Sequence, residues 1–460
     1  MDGTRRRARL ARSRLYLVLE ARPHGEDPSA LLDAALRGGV DIVQLREKKL
    51  ADDELVRAAE PFRRACDAYG ALLVLNDRPD LVERCAADGV HVGQSDAPLA
   101  DARRAVGDER IVGLSAETAE QLHGDADYFG VGAVYATPTK EESAAGGLAL
   151  VRAARDILRV PWFAIGGVDQ ANVEDLNAAG AAGVAVVRAI RDADDPDAAA
   201  RRLRAALPPT DAFVGEGDTE FFIPQLDWLQ WPLPARDLGA APHTHAAHTD
   251  VFYALDGNLE LRLGGETVRV PAGSCVAAPP LLVHGFRNPG PDDTRLVNIH
   301  APGGWARGRR RFERAEFDTF PVERGSPTAR GIVAGPGDGD RLTKETRLAL
   351  VKVQSPDLDV LEYAVSPEYT GASGHVHLRH ADCFHVLEGA LEVTADGQTV
   401  RIEPGMTVIV PPGVPHTFTS AGRARFLNVH APSYGFSEYL RRMDTGDDFD
   451  HAAYDSYPIS

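Results

Sequence analysis

A chain of 460 residues exceeds what one ordinary hydrophobic core organises, so two or three domains are expected. Its formal net charge of −18 argues against a nucleic-acid partner but leaves room for local Arg and Lys clusters that bind small anions. The 4 cysteines, Cys66, Cys85, Cys275 and Cys383, form no C-x-x-C pair, which excludes a disulfide framework or thiolate zinc site and suits a reducing cytoplasm; no apolar run reaches membrane-spanning length.

Taken in order, the chain starts with basic residues, Arg5-Arg6-Arg7 through Arg14, which read as a frayed arm. The apolar run Leu15–Leu19 that follows is too short for a secretory segment and reads as a first strand. Ala30–Arg37 and Leu55–Tyr69 are helix-like and stop at glycines. Further strand-like runs begin at Ile42, Leu72, Gly89, Val112, Tyr128, Trp162 and Val184. Eight strands alternating with helices within about 200 residues predict a parallel (β/α)₈ barrel, whose chemistry sits at the C-terminal strand ends.

Polar residues fall at those ends. Gln44, Arg46 and Lys48 follow the second strand, Asn76 and Asp77 the third, and Asp96 the fourth. Ser115 ends the fifth, Thr137, Thr139 and Lys140 follow the sixth, Gly166-Gly167 the seventh and Arg188 the eighth. Asp77 and Asp96 suit Mg²⁺, which prefers carboxylate and phosphate oxygens. Arg46, Lys48 and Lys140 suit a diphosphate. Gly166-Gly167 offers bare backbone N–H groups where such barrels hold phosphate. Within the sixth stretch, Gly130 and Gly132 read as a strand that something approaches closely.

These stretches resemble the thiamine phosphate synthase family. The matching segments are Gln44-Leu-Arg-Glu-Lys48, Leu75-Asn-Asp-Arg78, Asp88-Gly-Val-His-Val-Gly-Gln-Ser-Asp96, Gly113-Leu-Ser115, Gly130-Val-Gly-Ala-Val-Tyr-Ala-Thr-Pro-Thr-Lys140, Ala164-Ile-Gly-Gly167 and Val186-Val-Arg-Ala-Ile190. They occur in the family's order and cover nearly all of residues 12–207. The resemblance implies coupling of 4-amino-5-hydroxymethyl-2-methylpyrimidine diphosphate to a thiazole phosphate, with release of pyrophosphate. It implies that Gln44, Arg46, Lys48 and Asn76 hold the pyrimidine diphosphate, and that Asp77 and Asp96 bind Mg²⁺. Ser115 and Lys140 are then contacts of the diphosphate and pyrimidine, and Thr137, Thr139 and Gly167 contacts of the thiazole phosphate. Arg46, Lys48, Ser115 and Lys140 are the expected catalytic set. Arg188 departs from the family's usual serine and either adds charge at the thiazole phosphate or points outward. A sister family, the thiazole tautomerases, uses a histidine near the fifth strand; Ser115 favours the synthase, and His123 is expected at the surface.

After Pro208-Pro209 the composition turns to short strand-like runs rich in Pro and Gly, an all-β signal. The region is a repeat: His243-Thr-His245 recurs as His375-Val-His377, Gly257 as Gly389 and His284 as His416, each 132 residues later. Asn298-Ile-His300-Ala-Pro recurs as Asn428-Val-His430-Ala-Pro. Each copy carries H-x-H, an acid five residues on (Asp250, Asp382), a glycine seven later, and G-x5-P before a late histidine. In a strand, H-x-H puts both imidazoles on one face, as chelation requires. This pattern is similar to the cupin family, here as a bicupin. The resemblance implies two double-sheet (jelly-roll) barrels with metal ligands His243, His245, Asp250 and His284 in one, and His375, His377, Asp382 and His416 in the other. Three imidazoles and a carboxylate suit Fe, Mn, Ni, Zn or Cu with positions left open. Two departures stand out: Asp where the family has Glu, one methylene shorter, and Leu281 where the motif has glycine (Gly413 in the second copy). His248, His300, His380, His385 and His430 lie outside the motif positions and are expected as pocket lining or surface.

The sequence therefore predicts a multidomain chain: a (β/α)₈ TIM barrel at 1–209, then cupin domains at 210–335 and 336–460. The expected function is thiamine phosphate synthase, a transferase, fused to a metal-binding bicupin of unknown substrate. The alternative is a repurposed barrel that couples another diphosphate to another heterocycle or amine, with the bicupin as a metal-dependent enzyme or small-molecule sensor. Mg²⁺ is expected in the barrel and one divalent transition metal in each cupin. Small-molecule substrates, no nucleic acid and no membrane partner are expected in the cytoplasm, and a homo-oligomer is left open.

Overall fold

A computed structural model of the protein describes residues 1–136, 146–303, 318–446 and 448–459. It divides into two compact units, Met1–Pro209 and Thr210–Ser460.

The first unit is a closed barrel of eight parallel strands in sequence order. They are β1 (Leu15–Leu19), β2 (Ile42–Leu45), β3 (Leu72–Asn76), β4 (Gly89–Val92), β5 (Ile111–Ala116), β6 (Tyr128–Val131), β7 (Trp162–Ile165) and β8 (Gly183–Val186). Being covered on both faces, these strands are near-continuous apolar runs; all five residues of β1 are buried. Helices such as Ser29–Arg37, Asp52–Tyr69 and Pro196–Ala205 lie on the outside of the sheet, their apolar faces packed in one cluster with β1 to β8. Two expected crossover helices are replaced by single 3₁₀ turns, Pro79–Leu81 between β3 and β4 and Ala119–Gln121 between β5 and β6. Both connections are near the minimum of about a dozen residues that a parallel crossover needs.

Aromatic side chains fill the barrel interior, and glycines make space for them. Tyr16, Tyr128 and Phe163 pack together with Ile42, Leu72 and Ile111. A Cβ on Gly113 would lie 2.1 Å from the Tyr128 ring, and one on Gly183 would lie 2.7 Å from Phe163. The Gly130 position faces the His91 ring, 3.2 Å from where a Cβ would stand. The close approach read from the glycines of the sixth stretch is thus made by the barrel itself, by the His91 ring at Gly130 and by the Ile165 carbonyl at Gly132.

The basic start is not a frayed arm. It forms a helix, α1 (Gly3–Arg12), which places Leu10 in the interior cluster. Its arginines are neutralised by acids that precede strands: Arg6 Nε lies 3.0 Å from Asp88 and Arg7 Nε 2.7 Å from Asp127. Asp88 also accepts from Arg63 Nη1 at 2.7 Å and from the Leu73 N–H at 3.0 Å. Burial alone would raise the Asp88 carboxyl, but Arg63, the Leu73 amide and Arg6 outweigh it and hold it below the usual range. Asp88→Asn leaves two guanidinium groups short of a buried partner. It is expected to cost about 3–5 kcal/mol, read as an earlier barrel transition in urea unfolding of the full chain. Because the folded-state value is depressed, the contribution of Asp88 is complete above the ordinary carboxylate range. It disappears as pH falls through the depressed value, so the parent's margin over the variant shrinks in acid.

The second unit is all-β apart from one helix, Phe436–Thr445, and short 3₁₀ turns, among the described residues. Each repeat copy contributes two facing sheets. In the first, a six-stranded sheet carries Thr249–Ala254 and Thr294–Ala301, and a four-stranded sheet carries Ala240–His243 and His284–Arg287. In the second, a seven-stranded sheet carries Ala381–Glu388 and Ala424–Ala431, and a five-stranded sheet carries Ala372–Val376 and His416–Ser420. The alternation of Asn258–Leu263, Asn-Leu-Glu-Leu-Arg-Leu, buries Leu259 and Leu261 and shows the period-two logic of these strands.

The copies interlock. Phe213–Glu216, ahead of the first copy, pairs with Met406–Ile409 of the second; Ile332–Ala334, ahead of the second, pairs with Cys275–Ala277 of the first. One buried cluster draws Trp228, Val251 and Ile299 from one copy and Val360, Ile409 and Val429 from the other. No helix among the described residues is long and apolar enough to cross a membrane.

Candidate functional sites

At the barrel mouth, the C-terminal ends of β2 to β4 bring three predicted residues together. Lys48 Nζ is 3.4 Å from Asp77 Oδ2. Burial, then the neighbouring Asp96 carboxylate, hold the Asp77 carboxyl above its usual range, with Lys48 working the other way. Two carboxylates that repel each other beside one exposed lysine form a site short of positive charge, as a divalent cation site is before loading. The backbone aims them. Asp77 sits in the left-handed region (φ 60°), and its N–H donates to His91 O at 2.9 Å. Asp96 is turned back by the Gly93 N–H, which donates to its Oδ2 at 2.9 Å. Asn76, buried at the end of β3, donates from Nδ2 to Asp77 Oδ2. Arg46 is exposed just after β2, and Arg188 is exposed at the start of the short helix Arg188–Arg191. Gly167 (φ 65°) lies against the segment after β6, where a Cβ would stand 2.7 Å from Tyr135 Cβ. Thr137, Thr139 and Lys140 lie outside the described residues. His123 is exposed, as expected.

Below the mouth runs a chain of hydrogen bonds that the sequence reading missed. Gln44 Nε2 donates to the Tyr16 hydroxyl at 3.1 Å, and Tyr16 meets the Tyr128 hydroxyl at 2.9 Å. Tyr128 meets His91 Nδ1 at 3.1 Å, and His91 Nε2 meets Ser115 Oγ at 2.9 Å. With the Gln44 amide donating, proton counting sets one direction. Tyr16 donates to Tyr128, Tyr128 to His91 Nδ1, and His91 Nε2–H to Ser115, whose own proton is then available to a ligand in the mouth. Burial raises both tyrosines above their usual range, so they act as neutral donors. The available signal was aromatic and polar residues at alternate positions of apolar strands.

In the second unit the structure assembles both predicted ligand sets. The candidate ligand atoms of His243, His245, Asp250 and His284 lie within 4.8 Å of one another, as do those of His375, His377, Asp382 and His416. Every one of the six histidines donates Nδ1–H to a main-chain carbonyl. His243 uses Ala241 O at 2.8 Å, His245 Asp318 O at 2.8 Å and His284 Leu282 O at 2.9 Å. His375 uses Ser373 O at 2.8 Å, His377 Asp455 O at 2.8 Å and His416 Val414 O at 3.0 Å. That fixes the tautomer and leaves each Nε2 as a lone-pair donor facing inward. Burial, then a neighbouring imidazole, lowers His243 to about 4 and His375 to about 3, so these two stand in the neutral, ligating form.

The shorter aspartate reaches the site. His284 Nε2 is 3.1 Å from Asp250 Oδ2, and His416 Nε2 is 3.2 Å from Asp382 Oδ2. In each copy the other carboxylate oxygen is engaged by an asparagine, Asn298 or Asn428. Leu281 adopts the left-handed conformation (φ 67°) that Gly413 adopts in the second copy (φ 82°), and each donates its N–H, at 2.6 Å, to the carbonyl of the second H-x-H histidine. A leucine thus occupies a glycine's backbone state, at a strain of about 1–2 kcal/mol.

A bound divalent metal fits this set. His377 Nε2 is buried and has no hydrogen-bond partner, aimed among nitrogen and carboxylate donors of the kind transition metals take. His243 and His375 are the less buried members of their sets, which marks the side open to small molecules. The five off-motif histidines are all buried rather than surface residues. His300 Nε2 is 3.3 Å from Asp250 Oδ1, and His430 Nε2 is 3.4 Å from Asp382 Oδ1; His385 bonds Thr407 at 2.9 Å.

Comparisons with known proteins agree with this division. A family profile described as thiamine monophosphate synthase matches residues 15–190, and one for the cupin domain matches 231–300 and 362–430. The thiamine-phosphate synthase of Thermobifida fusca (strain YX) is 48% identical over 214 residues, spanning 45% of this chain and 97% of that protein. That of Arthrobacter sp. (strain FB24) is 44% identical over 228 residues, 44% of this chain and 96% of that one. Among solved structures, thiamine phosphate pyrophosphorylase from Pyrococcus furiosus aligns at 28% identity over 43% of this chain and 96% of its own, with a TM-score of 0.40. Salicylate 1,2-dioxygenase from Pseudaminobacter salicylatoxidans aligns at 13% identity over 47% of this chain and 74% of its own, with a TM-score of 0.36. Through its barrel the chain belongs to the thiamine-phosphate synthase family, a family of transferases, and its second unit is built from two cupin domains.

Proposed function

We propose that the barrel joins 4-amino-5-hydroxymethyl-2-methylpyrimidine diphosphate to a thiazole phosphate, giving thiamine phosphate and pyrophosphate. The observation that carries this reading is the cluster of Lys48, Asp77 and Asp96 at the mouth of a barrel with close synthase relatives. Gln44, Arg46, Lys48 and Asn76 hold the pyrimidine diphosphate, and Asp77 and Asp96 hold Mg²⁺, which when bound offsets the diphosphate's charge. Ser115 and Lys140 contact the diphosphate and pyrimidine; Thr137, Thr139, Gly167 and Arg188 serve the thiazole phosphate. The bond between the pyrimidine methylene carbon and the diphosphate oxygen breaks with its electron pair leaving on the diphosphate. The thiazole nitrogen then donates its lone pair to the carbon. No general base is required; the residues supply positive charge, hydrogen-bond donors and fixed orientation. Ser115, its hydroxyl oriented by His91, donates to the departing oxygens. Pyrophosphate release that needs Mg²⁺ and both precursors supports this reading. Release with either precursor omitted contradicts it.

In the second unit, with halves proposed at 210–335 and 336–460, each cupin holds one divalent transition metal through three histidines and an aspartate. When bound, such a metal supplies a Lewis acid or redox centre with open positions for a small molecule. Fe(II)-dependent oxygen consumption or product formation marks the bicupin as an enzyme. Tight ligand binding without turnover marks it as a sensor.

A further inference from the structure

The two copies share a feature beyond the cupin motifs. Asp318-Thr319-Phe320-Pro321 comes after the motifs of the first cupin, and Asp455-Ser456-Tyr457-Pro458 after those of the second. Each segment is laid beside the H-x-H strand. Phe320 and Thr244 exchange backbone hydrogen bonds at 2.9 and 3.1 Å, and Tyr457 pairs with Val376 at the equivalent position. Both aspartates take the left-handed backbone conformation, with φ of 58° and 54°, which Asp tolerates better than most residues.

The contacts of the two aspartates repeat. The Asp318 main-chain oxygen accepts from His245 Nδ1 at 2.8 Å, while its carboxylate accepts from the N–H groups of Ala246 (2.8 Å) and Ala247 (2.7 Å) and lies 2.9 Å from His248 Nδ1. The Asp455 main-chain oxygen accepts from His377 Nδ1 at 2.8 Å. Its carboxylate accepts from the N–H groups of Leu378 (3.2 Å), Arg379 (2.8 Å) and His380 (3.1 Å) and lies 2.9 Å from His380 Nδ1. In the second cupin the chain continues: His380 Nε2 meets His430 Nδ1 at 3.0 Å, and His430 Nε2 meets Asn428 Oδ1 at 2.9 Å. Asn428 Nδ2 then donates to Asp382. One aspartate thereby reaches two members of the ligand set, His377 through its carbonyl and Asp382 through three intervening side chains.

We propose that these two segments are straps and that Asp318 and Asp455 are positioning residues for the two metal centres, each fixing the second histidine of its H-x-H pair. The inference rests on the reading of both cupins as metal sites. A histidine on a short turn has rotational freedom that chelation must remove. The strap removes it by clamping both the turn's amides and the imidazole's far nitrogen. Asp455 lies 39 residues beyond His416, the last motif histidine (455 − 416), so the second site depends on a segment distant from its motifs.

The test uses the full-length protein stripped of metal and titrated with Co²⁺ alone, followed by its visible bands. His245→Ala confines binding to the second cupin and His377→Ala to the first. In the His245→Ala background, Asp455→Asn is expected to raise the Co²⁺ dissociation constant about 10–100-fold and to alter the bands. In the His377→Ala background the same substitution should change neither. Asp318→Asn should show the converse pattern, so the inference remains testable if one variant folds poorly. Unchanged dissociation constants, or equal weakening of both sites by either variant, would overturn the inference alone. Failure of both single-site parents to bind Co²⁺ would overturn the metal reading and the inference together.

Discussion

Asp77→Asn is expected to reduce coupling of the two precursors by about 10³-fold or more while leaving the barrel folded. Asparagine is the informative replacement because Asp77 occupies the left-handed region, where Asn is tolerated and Ala is strained. The substitution removes one of the two carboxylates proposed for Mg²⁺ and leaves Asp96, Lys48 and the surrounding strands in place. It also carries a signature that simple damage would not. Burial and the Asp96 carboxylate raise the Asp77 carboxyl in the folded protein, so the folded state holds that proton more tightly than the unfolded chain does. Stability from this group is therefore present at low pH and lost as pH rises through the raised value. At neutral pH and without Mg²⁺ the pair repels, and Asp77→Asn should not lower the thermal midpoint of the Mg²⁺-free protein. Thermal scans with and without Mg²⁺, paired with the coupling rate, check both parts. A variant that still couples at the parent's rate removes Asp77 from the mechanism.

The second large effect is on metal content. His377→Ala is expected to reduce bound transition metal from two per chain to one, and His245→Ala together with His377→Ala to none, read by metal analysis of purified protein. The loss should be far greater than the roughly 10–100-fold that follows removal of an outer partner. These histidines supply the inward-facing Nε2 itself, and His377 Nε2 is buried with no other partner. The aspartates cannot compensate, because an asparagine engages Oδ1 of each, and it is Oδ2 that approaches the last motif histidine, His284 or His416. Two metals retained by the double variant would show that the H-x-H sets are structural.

Much of this was legible in the sequence because it is local. Apolar runs alternating with helical stretches give the barrel, and an H-x-H pair on a strand gives two imidazoles on one face. What escaped is non-local. Arg6 and Arg7 look like a solvated run until Asp88 and Asp127 are seen to meet them from just ahead of β4 and β6. Tyr16, His91 and Tyr128 each read as a lone polar residue in an apolar strand, and only barrel closure links them into a chain ending at Ser115. The expectation of pocket lining holds for His300 and His430, which lie beside Asp250 and Asp382, but the roles of His248 and His380 escaped because their partners, Asp318 and Asp455, lie more than 65 residues further along the chain. The repeat of Asp-Thr-Phe-Pro as Asp-Ser-Tyr-Pro was visible but falls outside the constant spacing of the other repeated positions. The pairing of Phe213–Glu216 with the second copy had no local signal, since an exchanged edge strand reads the same whichever sheet it joins.

The most direct test is the identity of the barrel's product. The full-length protein, given pyrimidine diphosphate, thiazole phosphate and Mg²⁺, should form a compound with the mass of thiamine phosphate, in step with pyrophosphate and only while the chelator EDTA is absent. Pyrophosphate release with no thiamine phosphate, or no reaction from protein whose barrel is folded, would contradict the account.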